Sequence, residues 1–431
     1  MSLLFRNAAI LSTREGKFEV LEHAYLGVEG DRIDYIGTEM PTKTYAQTKD
    51  MHDKVLIPGL INCHGHSAMN LLKGLGSDLP LQEWLGIMWP IEDRMTDADF
   101  SSGMDLAILE MLRCGTTSFC DMYMRSAVTQ ASIEKSGIKA NLTRVVMGGS
   151  KDTEYRSYQN RLEALAFVRD YDGAFDGRLH ADWSVHSEYT IDPEIARKWA
   201  EETTSLGGRL HVHISETKRE HEGCIERYGM TPVQWFEERG YFRIPTYAAH
   251  CVWCTEEDLR ILRKHNVSVV HNPESNMKLG SGFAPIPRML ELGINVALGT
   301  DGAASNNNLN MFEEMHLASV IHNGYTLDPV IMKPETVLSM ATLNGASVQG
   351  RPDTGSLEVG KKADIVAVNL DAPHMKPSLN LMALLVYSAQ GSDVTMTMVD
   401  GKILYEDGEY RTLDKEKIYA DFEQSVKRLY H

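Results

Sequence analysis

The middle of the chain alternates short apolar runs with helical stretches. The strand candidates are residues 116–121, 140–146, 179–185, 210–214, 247–250, 267–271 and 296–299. The helix candidates include residues 101–113, 192–206, 255–265 and 285–292. Regular alternation of strand and helix predicts a parallel sheet covered by helices, and the length of the alternating region favours a closed (β/α)8 TIM-type barrel over an open sheet.

Short strands separated by glycine-rich turns occupy both ends of the chain. They are predicted at residues 3–11, 24–29, 32–37, 363–368 and 394–402. The chain has 431 residues, which is more than a barrel of roughly 250 to 300 residues needs. We therefore expect a small composite β domain, made of residues 1–57 and 353–431, beside a barrel of residues 58–352.

Composition and charge exclude several classes of partner. Asp and Glu total 60 against 43 Lys and Arg, and the resulting net charge of -17 would repel a nucleic-acid backbone. No apolar run approaches the ~20 residues that span a bilayer, and the N-terminus lacks the pattern of an export signal. We expect a cytoplasmic protein that binds a small molecule and neither nucleic acid nor a membrane.

Two closely spaced histidines, His64 and His66, follow the strand-like residues 55–57. Residues two apart on a strand face the same side, so both imidazoles can point into the mouth of the barrel. This pair alone does not distinguish metal ligands from imidazoles that are hydrogen-bonded within a loop.

Three further strand candidates end at or near a histidine or an aspartate, namely His213, His250 and Asp301. Polar side chains at a barrel rim need partners or water, and barrel active sites form at the carboxyl ends of the strands. Convergence on one divalent metal ion accounts for all of these residues together. The predicted ligands are His64, His66, His213 and Asp301.

His211 competes with His213 for the ligand position, because the two side chains face the same side of one strand. We expect His211 to lie one layer deeper and to fill the barrel. Three or four His and Asp ligands that leave one position for water are typical of catalytic zinc or iron sites, where the pKa of water falls from 15.7 to roughly 7. One divalent ion is expected, zinc with iron as the alternative, because residues 179–186 lack a lysine that could bridge two metals.

Taken together, the motifs resemble the amidohydrolase superfamily, in particular the branch of cytosine, guanine and triazine aminohydrolases and 5-methylthioadenosine/S-adenosylhomocysteine deaminases. The resembling segments are residues 58–66, 213–216, 250, 271–280, 299–302 and 355–364. The resemblance implies a distorted barrel with a composite β-sandwich. It also implies a hydrolase that deaminates adenine nucleosides (5-methylthioadenosine, S-adenosylhomocysteine, with adenosine as a further candidate) to the inosine-type product and ammonia.

The same resemblance implies roles for three site residues. Glu216 is expected to carry protons between the metal-activated water and the ring nitrogen of the substrate, which is chemically sensible because the ring needs a proton as oxygen adds. His250 is expected to hydrogen-bond the developing oxygen. Asp301 is expected to bind the metal and to accept a proton before ammonia leaves.

Substrate contacts are also implied by the resemblance. Residues 81–93 look like the segment that covers the nucleoside, so that Trp84 would pack against the ligand and Glu92 would accept hydrogen bonds from ribose hydroxyls. Without the family, a buried tryptophan and an exposed helical acid explain these two residues equally well.

Three more residues, Arg144, Arg161 and His186, fall where the family places groups near the ribose and the amino-acid tail of adenosylhomocysteine. An arginine fork suits the carboxylate of that tail. We expect a homo-oligomer, in which one arginine could come from a neighbouring subunit.

Two alternative functions remain open at this stage. An enzyme of the same branch could act on guanine, a pterin or a triazine, including removal of chloride. A chain of this superfamily could also serve as a non-catalytic scaffold, although such chains usually lose metal ligands that this sequence retains.

Overall fold

The computed structural model describes residues 2–431. The strands are β1 (Ser2–Arg14), β2 (Lys17–Glu29), β3 (Arg32–Gly37), β4 (Gln47–Asp50), β5 (Lys54–Pro58), β6 (Leu60–Asn62), β7 (Thr116–Tyr123), β8 (Lys139–Arg144), β9 (Leu179–Val185), β10 (Leu210–Ile214), β11 (Thr246–His250), β12 (Ser268–His271), β13 (Val296–Leu298), β14 (Ile365–Asn369), β15 (Val394–Val399), β16 (Lys402–Glu406) and β17 (Glu409–Tyr410).

The helices are α1 (Leu81–Glu92), α2 (Asp97–Arg113), α3 (Ser126–Ser136), α4 (Gln159–Tyr171), α5 (Pro193–Leu206), α6 (Lys218–Tyr228), α7 (Pro232–Arg239), α8 (Glu256–Lys264), α9 (Pro273–Lys278), α10 (Ile286–Glu291), α11 (Met311–Thr326), α12 (Pro334–Met340), α13 (Leu343–Gln349), α14 (Leu381–Tyr387) and α15 (Lys415–Tyr430). Short 3-10 helices occur at Ser67–Leu72, Tyr155–Ser157, Tyr241–Arg243, Pro373–Met375 and Gly391–Asp393.

A parallel barrel occupies the centre of the molecule. Its eight strands, β6 to β13, are hydrogen-bonded in sequence order. The ring closes between its last and first strands, where the backbone N–H of Cys63 donates to the carbonyl of Leu298 at 2.9 Å. The apolar strand residues are buried, as expected for strands that lie between a barrel interior and a layer of helices. The predicted barrel is therefore confirmed.

Both ends of the chain contribute to a second, mixed sheet of nine strands in the order β17-β16-β15-β14-β5-β1-β2-β3, with β4 beside β1. The predicted composite β domain is thus confirmed as an architecture. The hairpin of β1 and β2 is longer than the sequence indicated, because Arg14 pairs with Lys17 across its turn. The polar residues near that turn are largely exposed and obscure the strand pattern. The boundaries at residues 57 and 353 stay a prediction.

The chain passes from one sheet to the other at Gly59. Residues 55–57 belong to β5 of the terminal sheet, and the first barrel strand is β6, so the two histidines do not extend the strand that the sequence indicated. A Cβ atom at Gly59 would lie 2.1 Å from Oγ1 of Thr117. Only a glycine therefore lets the backbone approach β7 closely enough to make this transition.

The two sheets are joined by a buried ion cluster. Nζ of Lys139, on β8 of the barrel, lies 2.5 Å from the Asp364 carboxylate and 2.8 Å from the Asp400 carboxylate. Asp364 directly precedes β14, and Asp400 directly follows β15. The barrel and the terminal sheet therefore share a charged, solvent-shielded contact.

The last helix, α15, packs against the barrel side of the molecule. Ser425 and Ser102 of α2 are joined by a hydrogen bond of 2.9 Å, and the Tyr430 hydroxyl donates to the carbonyl of Leu71 at 2.8 Å. Leu71 lies in the 3-10 helix that follows His66. None of the helices within residues 2–431 has both the length and the apolar composition that are needed to cross a bilayer.

Candidate active site

The predicted ligands meet at the carboxyl ends of the barrel strands. His213 lies within β10, His64 and His66 follow β6, and Asp301 follows β13. Donor atoms of His64, His66 and Asp301 lie within 4.8 Å of one another, and so do those of His64, His213 and His250. The structure therefore brings together the side chains that the sequence nominated as a metal site.

The atoms that face one another are those a metal ion would use. Nε2 of His64 lies 3.2 Å from Oδ1 of Asp301, and Nε2 of His66 lies 3.4 Å from the same oxygen. Nε2 of His213 lies 3.3 Å from Nε2 of His66. Burial lowers the pKa of His64 to about 4 and holds that of His213 well below its usual range, so both imidazoles are neutral, as ligands must be.

Hydrogen bonds at the far side of each ring orient these imidazoles. Nδ1 of His66 donates to the carbonyl of Met122 at 2.7 Å, and Nδ1 of His213 donates to the carbonyl of His186 at 2.8 Å. A proton held on Nδ1 leaves a lone pair on Nε2, which points into the cluster. Nε2 of His64 is buried and has no hydrogen-bond partner among the described residues. The residues therefore fit a divalent cation, because a cation would coordinate the Nε2 lone pairs of these histidines.

His211 takes a different place. Its Nε2 lies 2.8 Å from Nδ1 of His64, and its ring stacks on Tyr247 with 4.3 Å between the centroids. It belongs to neither group of possible ligands. His211 thus lies behind His64, inside the barrel.

Asp301 is fixed by hydroxyl groups. Oδ2 accepts from Ser275 at 2.6 Å and from Ser305 at 2.9 Å, while Oδ1 accepts the backbone N–H of Gly302. Burial alone would raise the pKa of Asp301, but its interactions with His64 and the other site histidines hold this pKa well below its usual range. The carboxylate therefore stays ionised and presents Oδ1 to the histidines.

Glu216 lies three residues beyond His213, at the start of the loop that leads into α6. It is buried, and its Oε2 lies 3.8 Å from Nε2 of His250. Burial, together with the negative charge of Asp301, raises the pKa of Glu216 to about 8. A carboxyl group with such a pKa can both hold and release a proton near neutral pH.

Glu220 was not singled out from the sequence, although it holds the backbone at Glu216. Its carboxylate accepts the N–H groups of Ser215 at 2.8 Å and of Glu216 at 2.7 Å. The signal was available as Thr217-x-x-Glu220, a capping box that starts α6. Ser215, with a φ of 49°, is in the left-handed region, so this turn depends on such contacts.

A cavity of about 300 Å³ opens from the cluster towards solvent. That volume is at the lower end of the range for small-molecule sites. Its polar lining residues include His66, Glu92, Asp93, His186, Tyr189, His213, Glu216, His250, Asp301 and Ser305. Its apolar lining residues include Met69, Leu81, Trp84, Leu85, Trp89, Met122, Met124, Val145, Met147 and Leu279.

Three of the predicted substrate contacts, Trp84, Glu92 and His186, line this cavity. Nε1 of Trp84 is buried and has no hydrogen-bond partner among the described residues. The hydroxyl of Tyr123, which sequence reasoning did not nominate, donates to Glu92, and burial raises the pKa of the Glu92 carboxyl.

The two predicted arginines lie outside the cavity lining. Arg144 donates to Glu163 at 2.9 Å and to Asn160 at 2.6 Å. Arg161 donates to Glu202 at 2.6 Å. Contact of either arginine with a substrate stays a prediction.

Comparison with protein families identifies the family of the chain that carries this site. Residues 55–404 match the model of the amidohydrolase family. The chain belongs to the amidohydrolase family. As an amidohydrolase it is a hydrolase, and its His/Asp cluster corresponds to the metal dependence of that family.

Similar proteins include several deaminases. This amidohydrolase is 40% identical to a 5-methylthioadenosine/S-adenosylhomocysteine deaminase of Caldanaerobacter subterraneus subsp. tengcongensis, over 100% of this chain and 99% of the relative. It is 41% identical to a 5'-deoxyadenosine deaminase of Methanosarcina acetivorans, over 99% and 98% of the two chains. The crystal structure of an adenosine deaminase from Xanthomonas campestris with bound zinc superimposes with a TM-score of 0.92 at 31% identity, covering 99% of this chain and 98% of the other.

Proposed function

We propose that this amidohydrolase is a metal-dependent deaminase that hydrolyses adenine nucleosides to the inosine-type product and ammonia. The observation that carries the proposal is the position of Glu216, which lines the same cavity as His213 and Asp301 and lies 3.8 Å from His250. The names of its relatives supply the substrate class, which comprises 5-methylthioadenosine, S-adenosylhomocysteine, 5'-deoxyadenosine and adenosine.

In this proposal His64, His66, His213 and Asp301 hold one ion, zinc with iron as the alternative. A divalent metal bound by these residues would lower the pKa of water to roughly 7 and would thereby supply the nucleophile. The bound zinc of the related adenosine deaminase supports the choice of metal. The orphaned Nε2 of His64 supports the presence of a cation.

The protein side chains then transfer the protons and hydrogen-bond the reacting oxygen. Glu216 takes the proton that the attacking water loses and delivers it to the ring nitrogen next to the carbon that loses its amino group. His250, 3.8 Å from Glu216, hydrogen-bonds the oxygen that adds to the ring. Asp301 accepts the second proton of the water and passes it to the amino group, which leaves as ammonia.

The remaining lining residues orient the nucleoside. Trp84 packs against the ligand and offers its unpaired Nε1–H, and Glu92 accepts hydrogen bonds from ribose hydroxyls. His186 lies beside the ligand and shares the cavity wall with Glu92. An acid that already accepts a bond from Tyr123 is held in one orientation, so less freedom is lost when ribose binds.

The proposal is tested with a substrate panel and zinc-loaded protein. The panel contains 5-methylthioadenosine, 5'-deoxyadenosine, adenosine, guanine, a pterin, an amino-triazine and a chloro-triazine. Ammonia and chloride release are measured, and the organic product is identified by mass spectrometry. Turnover of the adenine nucleosides with a gain of oxygen for NH supports the proposal. Preferred turnover of guanine, a pterin or a triazine overturns it, and no turnover by metal-loaded protein favours the scaffold alternative.

A further inference from the structure

A pair of acidic side chains is buried behind the turn that carries Glu216. Glu188 lies in the loop after β9, and Glu220 lies in the first turn of α6. Both residues are buried, and the side chain of Glu188 is 0% exposed. The two carboxyl groups are within hydrogen-bonding reach of each other. Neither of them lines the cavity, so the proposed reaction leaves this pair without a role.

A single cation serves both acids. Nη2 of Arg227 lies 2.8 Å from Oε1 of Glu188, and among residues 2–431 the two acids have no other ion-pair partner. The Arg227 side chain is 42% exposed, so water screens its charge. Two adjacent carboxyl groups in a buried site cannot both ionise against one screened cation. Burial and the charge of Glu220 accordingly raise the pKa of Glu188, although Arg227 acts in the opposite direction. The pair therefore keeps a proton near neutral pH.

Backbone donors determine which of the two acids is ionised. Oε1 of Glu220 accepts the N–H of Ser215 at 2.8 Å, and Oε2 accepts the N–H groups of Glu216 at 2.7 Å and of Thr217 at 3.4 Å. Three N–H donors stabilise a carboxylate. By contrast, Oε2 of Glu188 is buried and has no donor among the described residues. This oxygen gains a partner when it carries the proton and donates it to the Glu220 carboxylate.

Other ionisable groups around the pair leave this balance unchanged. The phenol of Tyr189 and the thiol of Cys224 face the pair, and burial raises the pKa of both, so both stay neutral. Arg239, on the neighbouring helix α7, lies over the ring of Trp235 at 3.9 Å from its centroid. Its ion-pair partner is Glu238. The charge of the pair therefore depends on the two carboxyl groups and the one screened cation.

On the basis of the proposed deaminase function, we propose that Glu188 and Glu220 share one proton and thereby fix the turn that carries Glu216 to the loop after β9. Protonated Glu188 donates to Glu220, which in turn holds the peptide groups of the turn. The loop after β9 also carries His186 and Tyr189, and both line the cavity. Glu188 is therefore a positioning residue that connects two parts of the cavity wall from behind.

Infrared spectroscopy on the zinc-loaded protein tests the shared proton without a substrate. A protonated carboxylic acid has a C=O stretching band that a carboxylate lacks. The difference spectrum between the parent and Glu188→Gln at neutral pH is expected to contain this band. The matched control is Glu222→Gln, which removes an exposed acid of α6 and should change carboxylate bands alone. Loss of carboxylate bands alone in Glu188→Gln overturns the proposal.

The pH dependence of stability provides a second measurement. The pKa of Glu188 is raised in the folded chain, so the folded state retains a proton that the unfolded state releases as pH rises above the ordinary value of 4.5. Stability of the parent therefore falls with rising pH over this range, whereas glutamine has no such proton. The melting temperature of Glu188→Gln minus that of the parent should increase from about pH 5 to about pH 8. A difference that stays constant contradicts the proposal.

Kinetics with 5-methylthioadenosine test the positioning role. Glu188→Gln keeps a neutral donor towards Glu220 and an acceptor towards Arg227, so its kcat should stay within about twofold of the parent. Glu188→Leu loses both hydrogen bonds, and its kcat should fall by about tenfold with little change in KM or metal content. This contrast separates hydrogen bonding from the volume of the side chain.

Parental kcat in Glu188→Leu overturns the positioning role. If the leucine variant does not fold, a tenfold loss of kcat in Glu188→Gln overturns it instead, because the glutamine retains both hydrogen bonds. Failure of the parent to deaminate any adenine nucleoside overturns the proposed function. The infrared and stability measurements do not involve turnover, so they decide the shared proton in either case.

Discussion

The carboxylate of Glu220 accepts the backbone N–H of Glu216 at 2.7 Å. Its second oxygen accepts the N–H of Ser215, so one side chain holds two consecutive peptide groups at the turn beyond β10. Glu220 is itself buried. Glu220 therefore acts as a positioning residue, which fixes where the carboxyl group of Glu216 enters the cavity.

Replacement Glu220→Gln should lower kcat by about tenfold and change KM little. The amide has one acceptor oxygen, so it can keep only one of the two hydrogen bonds. A hydrogen bond to a charged group is worth ~1.5 to 3 kcal/mol, which accounts for the expected loss. Steady-state kinetics with 5-methylthioadenosine provide the measurement. Glu222→Gln is the matched control, since Glu222 lies on the same helix, is exposed, and contacts only Lys218 at 3.6 Å among the ion pairs of residues 2–431. If both variants keep the parental kcat, the role of Glu220 is confined to capping the start of α6.

Replacement Glu216→Gln should reduce kcat by roughly 10² to 10⁴, the usual contribution of a general acid–base group. The amide keeps the size of the side chain and cannot exchange a proton in the same way. The metal content should stay at the parental level, because the predicted ligand atoms are untouched. Kinetics and metal analysis on one preparation check both statements, and retained turnover would remove Glu216 from the proton path.

Much of this site could be predicted from sequence because each predicted ligand lies at or near the end of an apolar run. Strand ends in a parallel barrel share one rim, so His213 and Asp301 had to lie close together once the barrel was assumed. The crossing at Gly59 could not be predicted in this way. It depends on a close approach to Thr117, which is distant in sequence and leaves no periodic signal.

The two arginines show a different limit of prediction from the sequence. The family resemblance implied that Arg144 and Arg161 lie near the substrate, which stays a prediction, and the structure shows them paired with Glu163 and Glu202. Local alternation alone was informative for Arg144, because Val145 is the neighbour that faces the cavity. The pairing of Arg161 involves a residue 41 positions away and needed the packing of α4 beside α5 to be known.

Replacement His213→Ala should abolish most metal binding, because it removes a neutral imidazole whose Nε2 points into the cluster. Loss of the ion should also lower the melting temperature, since a ligand present at 100 times its Kd stabilises the native state by about 2.7 kcal/mol. Metal analysis and thermal denaturation, each with and without added zinc, provide the measurements. His374→Ala is the control, because His374 is partly exposed and pairs with Asp393 in the terminal domain. A His213→Ala protein with parental metal content would exclude His213 as a ligand.

Replacement Lys139→Met should destabilise the fold strongly without altering the metal site. Lys139 is about 3% exposed and lies between two carboxylates, so its removal leaves the buried Asp364 without its cation, while Asp400 keeps only Lys362 at 3.4 Å. Loss of one partner from a buried ion pair typically costs ~3 to 5 kcal/mol, whereas an exposed pair contributes about 0 to 1 kcal/mol. Lys417→Met, which breaks the exposed pair with Asp421, is the matched control. Urea denaturation midpoints should fall clearly for the first variant and little for the second. Equal midpoints would mean that the cluster between the sheets adds no stability.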